Sequence, residues 1–224
     1  MPKHNFLQRK IQVLSKKDNS SIGKWDQRIL ELCERINKSE DYYTSSSCSG
    51  RIIVMVDQEK KAPGLFEFVS HDRVEFEEFM KYLKTFTKLP CSQSSQEIDK
   101  IINKKIGGAN IQLNVKGEAI SKNNPQLNLK FKQEPPIIHV VCRDLECAES
   151  LLNKFYSAGW KRSGIISLGK NIVVEAICTG KIEFPLTLNG KILVSEEFLK
   201  IVLGKANNNL EKGWGKIEKV KSLL

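Results

Sequence analysis

The chain has 224 residues, 40% of them hydrophobic, which is enough for a packed core. Thirty-six Lys plus Arg against 26 Asp plus Glu give a formal net charge of +10, a balance that suits a polyanionic partner such as nucleic acid or reflects a lysine-biased proteome. No run of about 18 apolar residues is present, so no membrane span is expected.

The start, Met1-Pro2-Lys3-His4-Asn5, is polar and unlike a signal peptide. The six cysteines at 33, 48, 91, 142, 147 and 178 are irregularly spaced and form no Cys-x-x-Cys pair. A cytoplasmic protein with reduced thiols and no metal site is therefore expected.

In chain order, residues 5–15 predict a first helix, with Phe6, Leu7, Ile11 and Leu14 at helical spacing. Residues 17–23 read as a loop. A second helix carries Ile29, Leu32, Cys33 and Ile36 on one face, with Asp26 at its start, where a negative charge suits the helix dipole. It ends near Asn37.

The stretch Tyr42-Tyr43-Thr44-Ser45-Ser46-Ser47-Cys48-Ser49-Gly50-Arg51 follows. It reads as a polar loop of small residues whose backbone N–H groups can form an anion-binding nest. Arg51 adds a planar fork suited to a carboxylate or phosphate. The plainer alternative is a serine-rich surface loop. The stretch runs straight into Ile52-Ile53-Val54-Met55-Val56, an apolar β-branched run read as a buried strand over 51–57.

A turn at 60–64 and a paired strand at 65–71 follow, then a helix over 74–89 with Phe76, Phe79, Leu83 and Phe86 as its apolar stripe. Residues 90–126 are rich in Ser, Asn, Gly and Lys and read as an insertion with a mobile loop inside a single 1–224 domain.

Residues 127–132 alternate with period two, and 135–142 read as a buried strand carrying His139. A helix spans 144–158 and stops at Gly159. Residues 171–178 and 181–188 look like a hairpin around Thr179-Gly180. Ser195 caps a long final helix with Glu196 and Glu197 in its first turn. Irregular alternation of strand and helix predicts an α+β fold around one central mixed or antiparallel sheet with flanking helices.

Several motifs are decoys. Gly164-Ile165-Ile166-Ser167-Leu168-Gly169-Lys170 spells most of a P-loop, yet Asn171 stands where Ser or Thr should hold magnesium, and strands are expected on both sides. Neither a Gly-x-Gly-x-x-Gly nor a Gly-x-Ser-x-Gly motif occurs, so neither a Rossmann cofactor site nor a serine hydrolase of the usual kind is indicated. His71 and His139 sit at strand positions. Each is either a satisfied core residue or a proton acceptor suited to neutral pH.

Tyr43-Thr44-x-Ser46-Ser47-Cys48-x-Gly50-Arg51 resembles the signature of the tRNA wybutosine-synthesising protein 3 family. Lys17-Asp18, Ser20, Gly23 and Asp26 upstream, His71 downstream, and Glu134-Pro135-x-Ile137-Ile138-His139-Val140-x-Cys142-Arg143 extend the resemblance. Gly159, Arg162-Ser163-Gly164-Ile165, Pro185 and Asn207 carry it to the last helix.

The resemblance implies an S-adenosylmethionine-dependent methyltransferase on a non-Rossmann fold. It would act on a ring nitrogen of the wyosine-type base next to the anticodon of phenylalanine tRNA. It implies His139 or His71 as the base. Ser46, Ser47, the loop amides, Gly50 and Arg51 would hold the cofactor carboxylate or an RNA phosphate. Cys48 would be a small packing residue, and Glu134 would bond a ribose or base edge or stand as a solvated charge. A tRNA-binding or assembly module without catalysis is the other class to be tested.

Overall fold

A computed structural model describes residues 3–16, 26–58, 65–87 and 128–224. The expected loop at 17–23, the turn at 60–64 and the insertion at 90–126 lie outside the described residues. In chain order come helices α1 (Lys3–Leu14) and α2 (Gln27–Lys38), strands β1 (Tyr42–Cys48), β2 (Arg51–Val56) and β3 (Phe66–Ser70), and helix α3 (Phe76–Thr87). Strands β4 (Leu129–Glu134) and β5 (Ile137–Cys142), helix α4 (Leu145–Ser157), and strands β6 (Gly164–Leu168), β7 (Ile172–Ile177) and β8 (Ile182–Pro185) follow. The ribbon strands β9 (Thr187–Leu188) and β10 (Lys191–Ile192) and helix α5 (Glu196–Lys221) complete the order. None of the helices among the described residues is long and apolar enough to cross a membrane.

The α+β class and the antiparallel pairing are as expected. Among the described residues, however, the strands are shared between two four-stranded sheets and a two-stranded ribbon instead of gathering in one. The chain divides into two compact units: Met1–Gly50, Pro135–Gly180 and Asn209–Leu224 form the first, and Arg51–Glu134 with Lys181–Asn208 form the second.

In the first unit the sheet order is β1-β5-β7-β6, every pair antiparallel. The inner face of this sheet carries Tyr42, Ile138, Val140, Cys142, Val174 and Ala176. The apolar stripes of α2 (Ile29, Leu32, Ile36) and α4 (Ala148, Leu151, Phe155) and the end of α5 (Ile217, Val220) cover it. Burying that face removes water from contiguous apolar area, the main force holding the layers together.

Asp26 caps α2, accepting from the Arg28 N–H at 3.2 Å, and its other oxygen accepts from the Ser49 N–H at 2.6 Å. One carboxylate thus fixes both the helix start and the turn after β1. That turn needs Gly50, whose φ of 96° favours a residue without Cβ. Asp144 caps α4, and Arg143 ties it to Asp41, so this part of the second signature is structural. On the outer face α1 covers only one end, seating Phe6 against Tyr43 and Val141.

In the second unit the sheet order is β3-β2-β4-β8. One face packs Phe68 and Phe131 edge-on to Phe79 of α3, at 5.7 and 5.8 Å between ring centroids. Asn207 is buried and clamps Val74 with both ends of its amide, accepting from its N–H at 3.0 Å and donating to its carbonyl at 2.9 Å. Its place in the family pattern therefore has a structural cause: unpaired backbone groups at the entrance to α3 would be costly.

One further expectation is corrected, and the P-loop-like segment is no nucleotide loop, as expected. Residues 171–178 and 181–188 do not form a hairpin: β7 pairs with β5 and β6, whereas β8 pairs with β4. The P-loop-like segment is strand β6 followed by a bend, as its apolar β-branched residues favour.

Candidate active site

The serine-rich stretch is an edge strand and not an open loop. Residues 42–48 pair antiparallel with β5 along one edge, so the stretch is extended strand and not the turn of successive N–H groups that a nest needs. The register fixes which side chains meet. Tyr42, Tyr43 and Thr44 oppose Cys142, Val141 and Val140 one for one. Ser45 is then skipped, and Ser46 opposes His139.

This bulge decides the chemistry. In an unbroken ladder Ser46 would oppose Ile138 and face the core, because neighbouring residues alternate between faces. The extra residue turns Ser46 to the outer face instead. Bulges that re-aim a side chain are a recurrent feature beside active sites.

His139 also pairs with Glu175 of β7 in the same register, and Glu175 with Gly164 of β6. Ser46, His139 and Glu175 therefore form one row across three strands. The Ser46 hydroxyl lies 2.6 Å from His139 Nδ1, and His139 Nε2 lies 2.8 Å from Glu175 Oε2. A carboxylate can only accept, so it assigns the ring proton to Nε2. Nδ1 is left as the basic nitrogen, accepting from Ser46 O–H.

The His139 and Glu175 side chains are 25% and 29% exposed and Ser46 is exposed, so the row is partly shielded yet still reached by solvent. Gly164 ends the row, and a Cβ there would meet nothing within 4 Å, which leaves the space beside Glu175 clear. The arrangement can take up a proton through Nδ1, directly or through the Ser46 hydroxyl, and Glu175 stabilises the imidazolium that results.

The other expected site residues are placed as follows. Ser47 faces inward, its hydroxyl accepting from the Cys33 thiol at 3.4 Å. Burial pushes that thiol up to about 11, so it stays protonated and inert. Cys48 opposes Ile137 at the end of β1. His71 follows β3 in a bend of the second unit, where the Ser70 hydroxyl bonds the backbone of Asp72.

Arg51 and Glu134 also belong to the second unit and are brought together. They are partners in the β2–β4 register, with Arg51 Nε donating to Glu134 Oε2 at 2.8 Å. The guanidinium lies over the Phe66 ring, 5.2 Å from its centroid. Lys132 engages the other oxygen of Glu134 at 3.5 Å.

Glu175 was missed by sequence reasoning. Its signal is a lone carboxylate inside Ile172-Val173-Val174-Glu175-Ala176-Ile177, a strand whose other residues are all apolar.

The sequence model of the family described as Methyltransferase TYW3 matches residues 2–224. A protein of Archaeoglobus fulgidus named tRNA(Phe) 7-((3-amino-3-carboxypropyl)-4-demethylwyosine(37)-N(4))-methyltransferase is 34% identical over 90% of this chain and 83% of its own. A Homo sapiens protein named tRNA wybutosine-synthesizing protein 3 homolog is 30% identical, covering 98% of this chain and 72% of its own. Among solved structures, the PH1069 protein of Pyrococcus horikoshii superposes with a TM-score of 0.72 at 27% identity, over 98% of this chain and 94% of that one.

Proposed function

The chain belongs to the Methyltransferase TYW3 family, and from that premise we propose that it methylates a ring nitrogen of the 4-demethylwyosine-type base beside the anticodon of phenylalanine tRNA. We read residues 1–224 as one such methyltransferase domain, working in the cytoplasm with S-adenosylmethionine as donor. The observation that carries the reading is the row Ser46–His139–Glu175 on an open sheet face.

When bound, S-adenosylmethionine supplies an electrophilic methyl on a sulfonium, which leaves with the bonding electron pair. The ring nitrogen that accepts this methyl would give up the proton it carries. The protein must align the reactants and receive that proton. His139 Nδ1 receives it, with the Ser46 hydroxyl able to pass it on by giving its own hydrogen to Nδ1. Glu175 holds the ring in the tautomer that leaves Nδ1 free of a proton. His71 is the alternative base.

The residues fit an anionic group at Arg51. Its Nε is engaged by Glu134, which holds the side chain in place, and its two terminal nitrogens remain to grip a cofactor carboxylate or an RNA phosphate. Ser47 is engaged by Cys33, and β1 is extended strand and no nest, so this role falls on Arg51.

Two measurements test this. S-adenosylmethionine should bind the purified protein in a calorimetric titration, and methyl transfer to phenylalanine tRNA carrying the demethylwyosine base should follow. Binding of the tRNA without uptake of cofactor would make the chain a non-catalytic tRNA-binding module. Separately, Arg51→Ala should weaken binding of whichever anion Arg51 holds by about 1.5–3 kcal/mol, or roughly ten- to a hundredfold. Titrating cofactor and tRNA in turn identifies the anion, and unchanged affinity for both would show that Arg51 holds neither.

A further inference from the structure

The second half of α5 carries a cleft that the methyl-transfer site does not use. Its volume is about 370 Å³, and its lining is Thr179, Gly180, Asn209, Lys212, Gly213, Gly215, Lys216 and Lys219. All of these residues belong to the first unit. Three of the eight are lysines and none is a carboxylate.

Lys212, Lys216 and Lys219 recur at i, i+4 and i+7, which puts them on one helix face over about 10 Å. Among the described residues neither Lys212 nor Lys219 has an ion-pair partner. The contrast on the same helix is Lys221, neutralised by Glu218 at 2.6 Å and Glu31 at 2.7 Å. Lys216 is held in place: its Nζ reaches the Thr179 hydroxyl at 3.4 Å, and its stem packs at Gly159.

The cleft's shape has causes of its own. Gly213 is needed for packing, because a Cβ there would lie 2.7 Å from Pro136 at the entrance to β5. Gly215 has no such reason: it sits mid-helix, where glycine costs about 1 kcal/mol, and a Cβ would meet nothing within 4 Å. Its effect is to leave helix backbone bare between lysines.

Resting on the function proposed above, we infer that this cleft binds the phosphate backbone of the substrate RNA. Ammonium groups left unneutralised, hydroxyl and amide donors, and a lining free of carboxylate match a phosphodiester chain, which offers acceptors only. The placement matches too. Thr179 is four residues beyond Glu175, so their backbones are at most about 14 Å apart even when fully extended. The row faces outward while α5 covers the inner face, so the flanking backbone of a base seated at the row would pass round the end of β7, by Thr179, to meet the lysines. These contacts fix register and orientation and carry no sequence information.

The test uses the full chain with Lys212→Ala and Lys219→Ala combined, both on exposed positions that leave the core untouched. Affinity for phenylalanine tRNA should fall by about tenfold, and the slope of log affinity against log salt should shrink by roughly 1 to 2. Methyl transfer should show a raised KM for tRNA with kcat kept. Cofactor affinity and circular dichroism should match wild type, and the Lys212→Arg, Lys219→Arg variant should restore tRNA binding.

Unchanged tRNA affinity and salt slope in the alanine variant would overturn the inference. So would a loss of cofactor binding with tRNA binding intact, which would give the cleft to another ligand. Failure of the wild-type protein to bind tRNA at any salt would overturn the proposed function beneath it.

Discussion

Replacing His139 with alanine should leave cofactor and tRNA binding near wild type while slowing single-turnover methyl transfer by roughly a hundred- to ten-thousandfold. His139 meets its neighbours through both ring nitrogens, Nδ1 to Ser46 and Nε2 to Glu175. Losing the ring removes the proton acceptor and leaves Ser46 with no base to receive its hydrogen. It does not touch the inner-face core, because His139 lies on the outer face and is 25% exposed. Circular dichroism and the unfolding midpoint should therefore change little. A rapid-quench measurement at saturating tRNA and cofactor reads the chemical step without binding effects. If the folded variant turns over normally, His139 is a structural residue and the proton goes to His71.

Much of the fold was legible in the sequence because its signals are local. Asp26, Asp144 and Ser195 each precede an apolar-periodic run, and each caps the helix that follows. The stripes Ile29-Leu32-Cys33-Ile36 and Phe79-Leu83 are buried as their spacing requires. Strand β4 alternates buried and half-buried residues along its whole length. Gly159, with φ of 87°, ends α4 as a glycine should.

What failed was pairing, which is not local. β1 contains three consecutive serines, a composition that reads as a turn, yet it is held extended by pairing with β5 almost a hundred residues away. Nothing in 171–188 shows that β7 and β8 enter different sheets, because both have ordinary strand patterns and the intervening Thr179-Gly180 suits a hairpin.

The candidate site was half legible for the same reason. Ser46, His139, Arg51 and Glu134 stand in motifs of the right chemical type. That Ser46 meets His139 depends on a bulge at Ser45, and that Glu175 meets His139 depends on the β5–β7 register. Both are properties of strand alignment. Ser47 went the other way: adjacent to Ser46 in sequence, it lies on the opposite sheet face, where its partner is a protonated thiol.

Trp160→Ala should be the most destabilising of these substitutions, lowering the unfolding free energy by about 3–5 kcal/mol. Trp160 is fully buried in the core of the first unit. It directly follows the left-handed Gly159, and its N–H closes onto the Phe155 carbonyl at 2.9 Å. Its indole meets the Phe155 ring edge-on at 5.2 Å, and its Nε1 donates to the Lys216 carbonyl at 3.3 Å. One side chain thus fastens the end of α4 to the second half of α5. Truncation leaves a cavity that large aromatic neighbours cannot collapse into, and it removes the hydrogen bond to α5. Against a typical stability of about 5–15 kcal/mol, that loss is large. In urea the midpoint should fall with the slope unchanged, which marks a change in stability and not in the unfolded state. Hydrogen exchange should rise first in the 209–221 part of α5, where the fastening is lost. Methyl transfer in the cold, where the variant is still folded, should stay within a few-fold of wild type at saturating tRNA, because the Ser46–His139–Glu175 row lies on the other face of the sheet. A loss under about 1 kcal/mol would show that Phe155 and Ile217 repack into the space, and that the α4–α5 junction does not depend on the indole.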